Sequence, residues 1–384
     1  MTHALSRLAG RLAASAVVVF AVFTLSFALM RLAPGSPFDA EKELPAAVVA
    51  NQAEVTGMAA PVRSPHDGTL VRFHVDRRRH VGAGEPLYDL RTAAGAVTVH
   101  ADAPLTVFRL TARVGEPVAA GGAVLFAETS LVSQYLTTLA SYAQLDFGVT
   151  FDSRGERTVW ENLRETFPVS AELGLYALLL ALLLGVPAGF LAGARAGSWT
   201  DHAVMGLAML GQSIPTLVLG PLLILVVIMQ LGWLPAHGGW ESGLFVGLSH
   251  KLLPALTLGL AYAAWFARLA RAGMLEVIGE DWIRTARAKG LPERLVLWRH
   301  AVRGAILPVV SFLGPAIASL LVGSVVVETV FQVPGVSKYF VSSALNRDYP
   351  MVMGVVVLYS GLLVLLNLLV DLAYVWLDPR VRRG

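Results

Sequence analysis

The chain has no cysteine in its 384 residues, which removes disulfides, thiolate metal sites and a cysteine nucleophile together. It is also short of charge. Asp, Glu, Lys and Arg make up 15% of it, against about 25% in an ordinary soluble domain. That is too little to cover a water-facing surface. With 55% apolar residues and a mean hydropathy of +0.62, lipid is the expected solvent for much of the chain. The same arithmetic excludes disorder, and the lack of a Gly-X-Y period excludes collagen. No Gly-x-x-x-x-Gly-Lys-Ser/Thr sequence occurs, so ATP phosphates cannot be cradled by that route.

What is present is a series of long apolar runs. A bilayer core needs roughly 17–25 such residues per helix. Six runs qualify or nearly so: Leu12 to Met30, Leu173 to Ala194, Ala203 to Trp240, Leu252 to Ala267, Gly304 to Val327, and Met351 to Val370 with an extension toward Leu377. The fourth is short and ends at Arg268, a residue able to snorkel. Arg7 and Arg11 ahead of the first run suggest a signal peptide. Its length, and Arg31 directly after it without an Ala-x-Ala site, favour an uncleaved span.

Basic residues orient the spans. Arg7 and Arg11, the eight Lys and Arg between spans four and five, and Arg380, Arg382 and Arg383 all fall on one side if six spans leave both termini cytoplasmic. The opposite side holds Lys251, Lys338 and Arg347 in short loops, and residues 34–168 lie outside. Inside the third run, Gln212-Ser213-Ile214-Pro215 joins polar side chains to a helix breaker. Gln212, Ser213 and Pro215 are therefore candidates for lining a pathway, with ordinary interhelical hydrogen bonding as the alternative.

The segment between spans four and five reads as a short polar helix that stops at Gly290, then an amphipathic helix from Pro292 to Arg303. A solvated headgroup loop would look like this. So would a rigid elbow that a second protein could push. Here a resemblance becomes specific. Arg284-Thr-Ala-Arg-Ala-Lys-Gly290 followed by Ile306-Leu-Pro308 resembles the EAA loop of permease subunits of binding-protein-dependent ABC importers, in the form seen in the dipeptide/oligopeptide/nickel branch. Leu145-Asp-Phe-Gly148, Gln212-Ser-Ile-Pro215, Leu231-Gly-Trp-Leu-Pro235, Val330-Phe-Gln-Val-Pro-Gly335, Asn346-Arg-Asp-Tyr-Pro350 and Leu377-Asp-Pro-Arg380 follow in matching order. Pro34-Gly-Ser-Pro-Phe-Asp39 leans toward the microcin-C/oligopeptide part of that branch.

The resemblance implies an all-α polytopic protein with the six-helix type I ABC importer permease fold, in a bacterial cytoplasmic membrane. It implies a coupling loop within 274–306, carried by Arg284, Thr285, Ala286, Arg287, Lys289, Gly290 and Leu291. Arg284, Thr285 and Ala286 stand where the family name has Glu-Ala-Ala, and the Glu is absent. The implied partners are a second homologous permease, two ABC ATPases and an extracytoplasmic solute-binding protein, with no cofactor, no metal and no nucleic acid. A peptide-like solute would move inward. Selectivity would rest with the binding protein, so dipeptide, oligopeptide and nickel chelate all stay open.

The resemblance lapses over about 55–130, between a first span in 1–54 and a permease core in 131–384. This stretch repeats with an offset of 37: Thr69-Leu-Val-Arg-Phe-His-Val75 on Thr106-Val-Phe-Arg-Leu-Thr-Ala112, His80-Val-Gly-Ala-Gly84 on Pro117-Val-Ala-Ala-Gly121, and Leu87 on Val124. Each half reads as short alternating strands between glycine turns, so two interlocked halves would form one small β core. The pattern is similar to the biotinyl/lipoyl barrel-sandwich. A modified lysine would be expected near Ala93-Ala94-Gly95, yet 55–130 contains no lysine, so neither biotin nor lipoate can be carried by the usual amide. The expectation is an extracytoplasmic structural or docking module. His66, His74, His80 and His100 raise a metal reading, but they lack i,i+2 or i,i+4 pairs and a clear carboxylate partner spacing. Arg77-Arg78-Arg79 reads as a solvated turn.

Two other classes compete. A membrane enzyme would need an acid–base constellation within the spans. Glu172, Glu328 and Asp371 sit at span edges, His202, His237 and His250 lie in or near loops, and Asn367 and Ser311 lack partners. An export or adaptor-type permease would use the β insert to bridge envelope partners, against the importer-type loop.

Overall fold

The structure, a computed structural model, describes residues 2–32, 55, 57–150, 157–235, 238–241, 243–346 and 348–377. The apolar runs become helices, continuous through Pro187, Pro254 and Pro315 and interrupted ahead of Pro215. They are α1 (Thr2–Leu32), α2 (Leu131–Ala143), α3 (Val159–Ala194), α4 (Trp199–Ser213), α5 (Thr216–Gln230), α6 (Leu248–Ile278), α7 (Asp281–Ala288), α8 (Glu293–Ala305), α9 (Leu307–Phe331), α10 (Val336–Asn346) and α11 (Tyr349–Leu377). Within α1, α3, α6 and α11 lie four stretches long and apolar enough to cross a membrane. Two bent pairs, α4 with α5 and α8 with α9, bring the number to six if each pair is one span.

Several local expectations are corrected. The third run is not one helix: its halves meet at 101°. Proline disfavours the helical region for the residue before it, and Ile214 accordingly stands extended at φ −87°, ψ 118°. The fifth span bends by 47° at Ile306, just ahead of Pro308, which has no N–H to continue the ladder, and the expected amphipathic helix is π-helical over Val296–Ala301. The fourth span runs eleven residues past Ala267, to Ile278. Its charges have partners: Arg268 lies 4.3 Å from the exposed ring of Trp265 on the same helix, and Arg271 pairs with Asp201. Lys251, expected in a loop, is a helical residue only 1% exposed.

Two compact units divide the chain: residues 1–24, 163–342 and 355–384, and residues 25–162 and 343–354. In the first, α3 and α6 touch backbone to backbone. A Cβ added at Gly185 would stand 2.3 Å from the Ala263 carbonyl oxygen, at Gly189 2.1 Å from that of Ala267, and at Gly193 2.7 Å from Met274 Cβ. Rising positions on α3 meet rising positions on α6, so the two helices run parallel. Every-fourth glycines are how helices pack where lipid cancels the hydrophobic drive between them.

The second unit contains β1 (Ala59–Arg63), β2 (Gly68–Phe73), β3 (His80–Val81), β4 (Pro86–Thr92), β5 (Gly95–His100), β6 (Leu105–Leu110), β7 (Pro117–Val118) and β8 (Ala123–Glu128). They form two antiparallel sheets, β1-β8-β6-β3 and β5-β4-β2-β7. The 37-residue step carries β2 onto β6, β3 onto β7 and β4 onto β8, and also places β1 on β5, which the sequence comparison missed. Each half places two strands in each sheet, so neither half completes a sheet alone. The repeat partners Leu70 and Val107, Val81 and Val118, and Leu87 and Val124 all lie in one buried core. In the same unit, Asp348 caps α11 by accepting from the Met351 amide (3.3 Å) and from the Thr150 hydroxyl.

The Pro34–Asp39 motif, His237, Arg347 and the tail from 378 with Arg380, Arg382 and Arg383 lie outside the described residues.

Candidate functional site

The site is the elbow between α6 and α9. α7 is amphipathic over barely two turns. Ile283 and Ala286 are buried, while Trp282, Arg284, Thr285 and Arg287 are exposed. Lys289 ends the helix, and Gly290 follows at φ +77°, a conformation that costs a residue with a Cβ. Leu291 turns back onto the core and Pro292 opens α8. The expected stop at Gly290 and the second helix after Pro292 are both observed.

One contact at the elbow was not legible in the sequence. Arg287 donates through Nε and Nη2 to the two carboxylate oxygens of Glu293, at 3.1 and 2.7 Å. This two-pronged pair closes over Gly290 and holds α7 against α8. Its spacing of six residues matches no helical pairing rule, because a left-handed residue stands between. Arg284 has only an exposed, 3.6 Å contact with Asp281. Thr285 returns its hydroxyl to the Asp281 carbonyl.

The buried side of the elbow explains what a push on it would move. Ile283 and Ala286 belong to one apolar cluster with Met274 and Val277 of α6, Val296, Ala301 and Ala305 of α8, and Val309 and Ala316 of α9. A Cβ at Gly273 would lie 2.3 Å from the Ala305 carbonyl oxygen, so α6 and α8 are also in backbone contact. α7 thus has no independent seat: its buried side packs on α8 and shares one apolar cluster with α6 and α9.

Gln212, Ser213 and Pro215 sit at the 101° break between α4 and α5. Gln212 is half-buried. Ser213 is exposed and spends its hydroxyl on the Met209 carbonyl at 2.7 Å. Two long-range ion pairs brace the same unit. Arg271 grips Asp201 with Nε and Nη2, at 2.6 and 2.7 Å. Lys251 donates to Glu172 and to the Gly243 carbonyl, both at 2.7 Å, and lies 5.1 Å from the Trp240 ring centre. Glu328 accepts from the Ser337 amide at 3.0 Å and Ser170 from that of Val336 at 2.9 Å, so together they cap α10. Gly335 leaves them room, since a Cβ there would stand 2.3 Å from Glu328 Oε2. These acidic side chains have structural partners.

Among the described residues, no group of three His, Cys, Asp or Glu could hold a metal. His74 instead meets Asp89 at 2.9 Å, and Arg72 and Thr98 reach the same carboxylate at 2.7 and 2.8 Å. Those hydrogen bonds, His74's first and Thr98's next, hold the Asp89 carboxyl down at about 2. The Ala93-Ala94-Gly95 hairpin is an exposed turn, closed by Thr92 Oγ1 donating to the Gly95 carbonyl at 2.9 Å.

Residues 185–383 match the family described as the binding-protein-dependent transport system inner membrane component. The chain is 36% identical over 364 residues to the oligopeptide transport system permease protein OppB of Salmonella typhimurium, covering 95% of both chains. It is 42% identical over 252 residues to the dipeptide transport system permease protein DppB of Bacillus subtilis, covering 66% of this chain and 80% of that one. Among solved structures it resembles an inward-facing MetNI methionine ABC transporter at 16% identity and a TM-score of 0.44, over 56% of this chain and 96% of that one. With its apolar spans and its match along nearly the whole of OppB, the chain belongs to the inner membrane permeases of binding-protein-dependent transport systems and is a multi-pass membrane protein.

Proposed function

We propose that the chain is one of two homologous permeases forming the pathway for ATP-driven uptake of oligopeptides or dipeptides, in the type I importer arrangement. Two ABC ATPases hydrolyse ATP, and an extracytoplasmic binding protein delivers the solute. Both termini and the elbow face the cytoplasm, and the β region over 55–130 stands outside as a docking or bracing module. The relatives' names support the solute class. Nothing in them favours the export-type alternative.

The single observation that carries the coupling reading is the two-sidedness of α7. Its apolar side packs on α8 within a cluster that continues into α6 and α9, while Arg284, Thr285 and Arg287 are exposed. Ala286 packs inward, and Lys289, Gly290 and Leu291 complete the turn. A motor that displaces α7 pushes on α8 and, through the shared cluster, on α6 and α9, which is how a rigid element transmits work between two states. Gln212, Ser213 and Pro215, at the break in the third span, are the proposed pathway-side residues.

The test is Arg287→Glu together with Gly290→Pro in the assembled transporter. The first change turns the clamp with Glu293 into repulsion, and the second forbids φ +77°. ATP-driven uptake should fall to background while the chain still inserts and co-purifies with its sister permease. Uptake that persists rejects the coupling role. Removal of 56–130 with normal assembly should abolish binding-protein-dependent uptake if the β region docks, and leave it unchanged if it does not.

A further inference from the structure

The outer face of α8 is chemically unlike that of α7, although the two helices adjoin. On α7, Arg287 is committed to Glu293 and Arg284 lies beside Asp281. On α8, Arg294, Arg299 and Arg303 are exposed, and none of the three forms an ion pair among the described residues. Trp298 lies between them, 69% exposed, with Leu295 beside it. The opposite side, Val296, Ala301 and Ala305, is fully buried, so this orientation is set by packing. The π-helical stretch over Val296–Ala301 widens the turn, which keeps residues 294, 298 and 303 on one face.

We propose that this face is a binding surface for anionic phospholipid in the leaflet on the elbow side of the membrane. Geometry places it there. α8 leaves the axis of α9 by 47°. Trp298 is nine residues before Leu307, so at about 1.5 Å per residue it lies about 9 Å beyond the end of α9 along that axis. That is the depth of the headgroup layer, where indole rings concentrate. An exposed Trp with an adjacent Leu suits the acyl boundary, and three unpaired guanidiniums suit lipid phosphates by charge and by their paired donors. A lipid surface satisfies both halves of the face, the apolar ring and the guanidiniums, at the depth this geometry gives. The surface is independent of whether α7 couples to an ATPase.

Bilayer discs containing the full chain and mixed phosphatidylcholine and phosphatidylglycerol test this, with bromine on the chains of one lipid at a time. The quenching lost on Trp298→Phe isolates the signal of that residue. Brominated phosphatidylglycerol should quench Trp298 severalfold more than brominated phosphatidylcholine at equal amounts. R294Q/R299Q/R303Q should bring the two lipids level, each lost arginine removing a share of the preference. R294K/R299K/R303K should keep much of it, and R284Q should leave it unchanged. Equal quenching by both lipids in the unaltered chain overturns the proposal, as does a preference that survives the triple glutamine change or a Trp298 quenched by neither lipid. If the glutamine variant fails to fold, the lipid comparison in the unaltered chain and the lysine variant still decide.

Discussion

The β-sandwich and the helical bundle bring their chains together in opposite ways. In the sandwich, side chains fill the gap between two sheets: Leu70, Tyr88, Leu90 and Val107 are wholly buried, and water exclusion supplies the drive. In the bundle, the tightest contacts are where side chains are missing, as at Gly185, Gly189 and Gly273. Lipid is as apolar as leucine, so apolar bulk gains little there. Close approach and buried ion pairs decide which helices meet. A substitution that removes atoms should therefore harm one unit, and one that adds atoms should harm the other.

Four measurements can break or refine that contrast. The largest effect is expected from Gly189→Leu, whose Cβ alone would sit 2.1 Å from the Ala267 oxygen. α3 and α6 cannot then touch, and the detergent-extracted chain should lose its monodisperse peak. Gly206→Ala, with nothing within 4 Å, should leave that peak intact. Next is Lys251→Met, which strands Glu172 in a site where it is only 10% exposed. Breaking such a pair costs about 3–5 kcal/mol, and Lys251→Met with Glu172→Gln should recover most of it, read from the helical melting transition.

Leu90→Ala should cost about 2–5 kcal/mol, confined to the sandwich. Hydrogen exchange should speed up in β2 and β4 and stay unchanged in α6. The smallest effect concerns acid. The Asp89 carboxyl is held down at about 2, below the usual value near 4. Its contribution is present above the unfolded-chain value and is lost as pH falls toward 2. The acid dependence of strand exchange between pH 4 and 2 should flatten in Asp89→Asn. An unchanged profile would mean that the His74 and Thr98 bonds add nothing to the fold.

Much of this was legible in advance because its signals are local. Apolar run length predicts spans, Gly290 marks where a helix must stop, and a 37-residue repeat predicts paired strands. The misread charges share one cause, which is partners distant in sequence. Lys251 looked like a loop charge because Glu172 is 79 residues away, and α6 seemed to end at Arg268 because Asp201, 70 residues from Arg271, could not be seen. The match of β1 to β5 escaped because strand identity there lies in pairing and not in residue type.

Composition and punctuation alone thus determined the solvent, the approximate number of spans, the elbow and the doubled β core, since run lengths, breakers and repeats act within a few residues of where they are written. Tertiary structure decided which helices touch without side chains between them, where the buried charges find their counterions, and that Arg287 closes on Glu293 while the arginines of α8 stay open. The helix contacts and the buried counterions depend on distances between segments far apart in the chain, and the Arg287–Glu293 closure on the left-handed turn at Gly290, which no periodic pattern encodes.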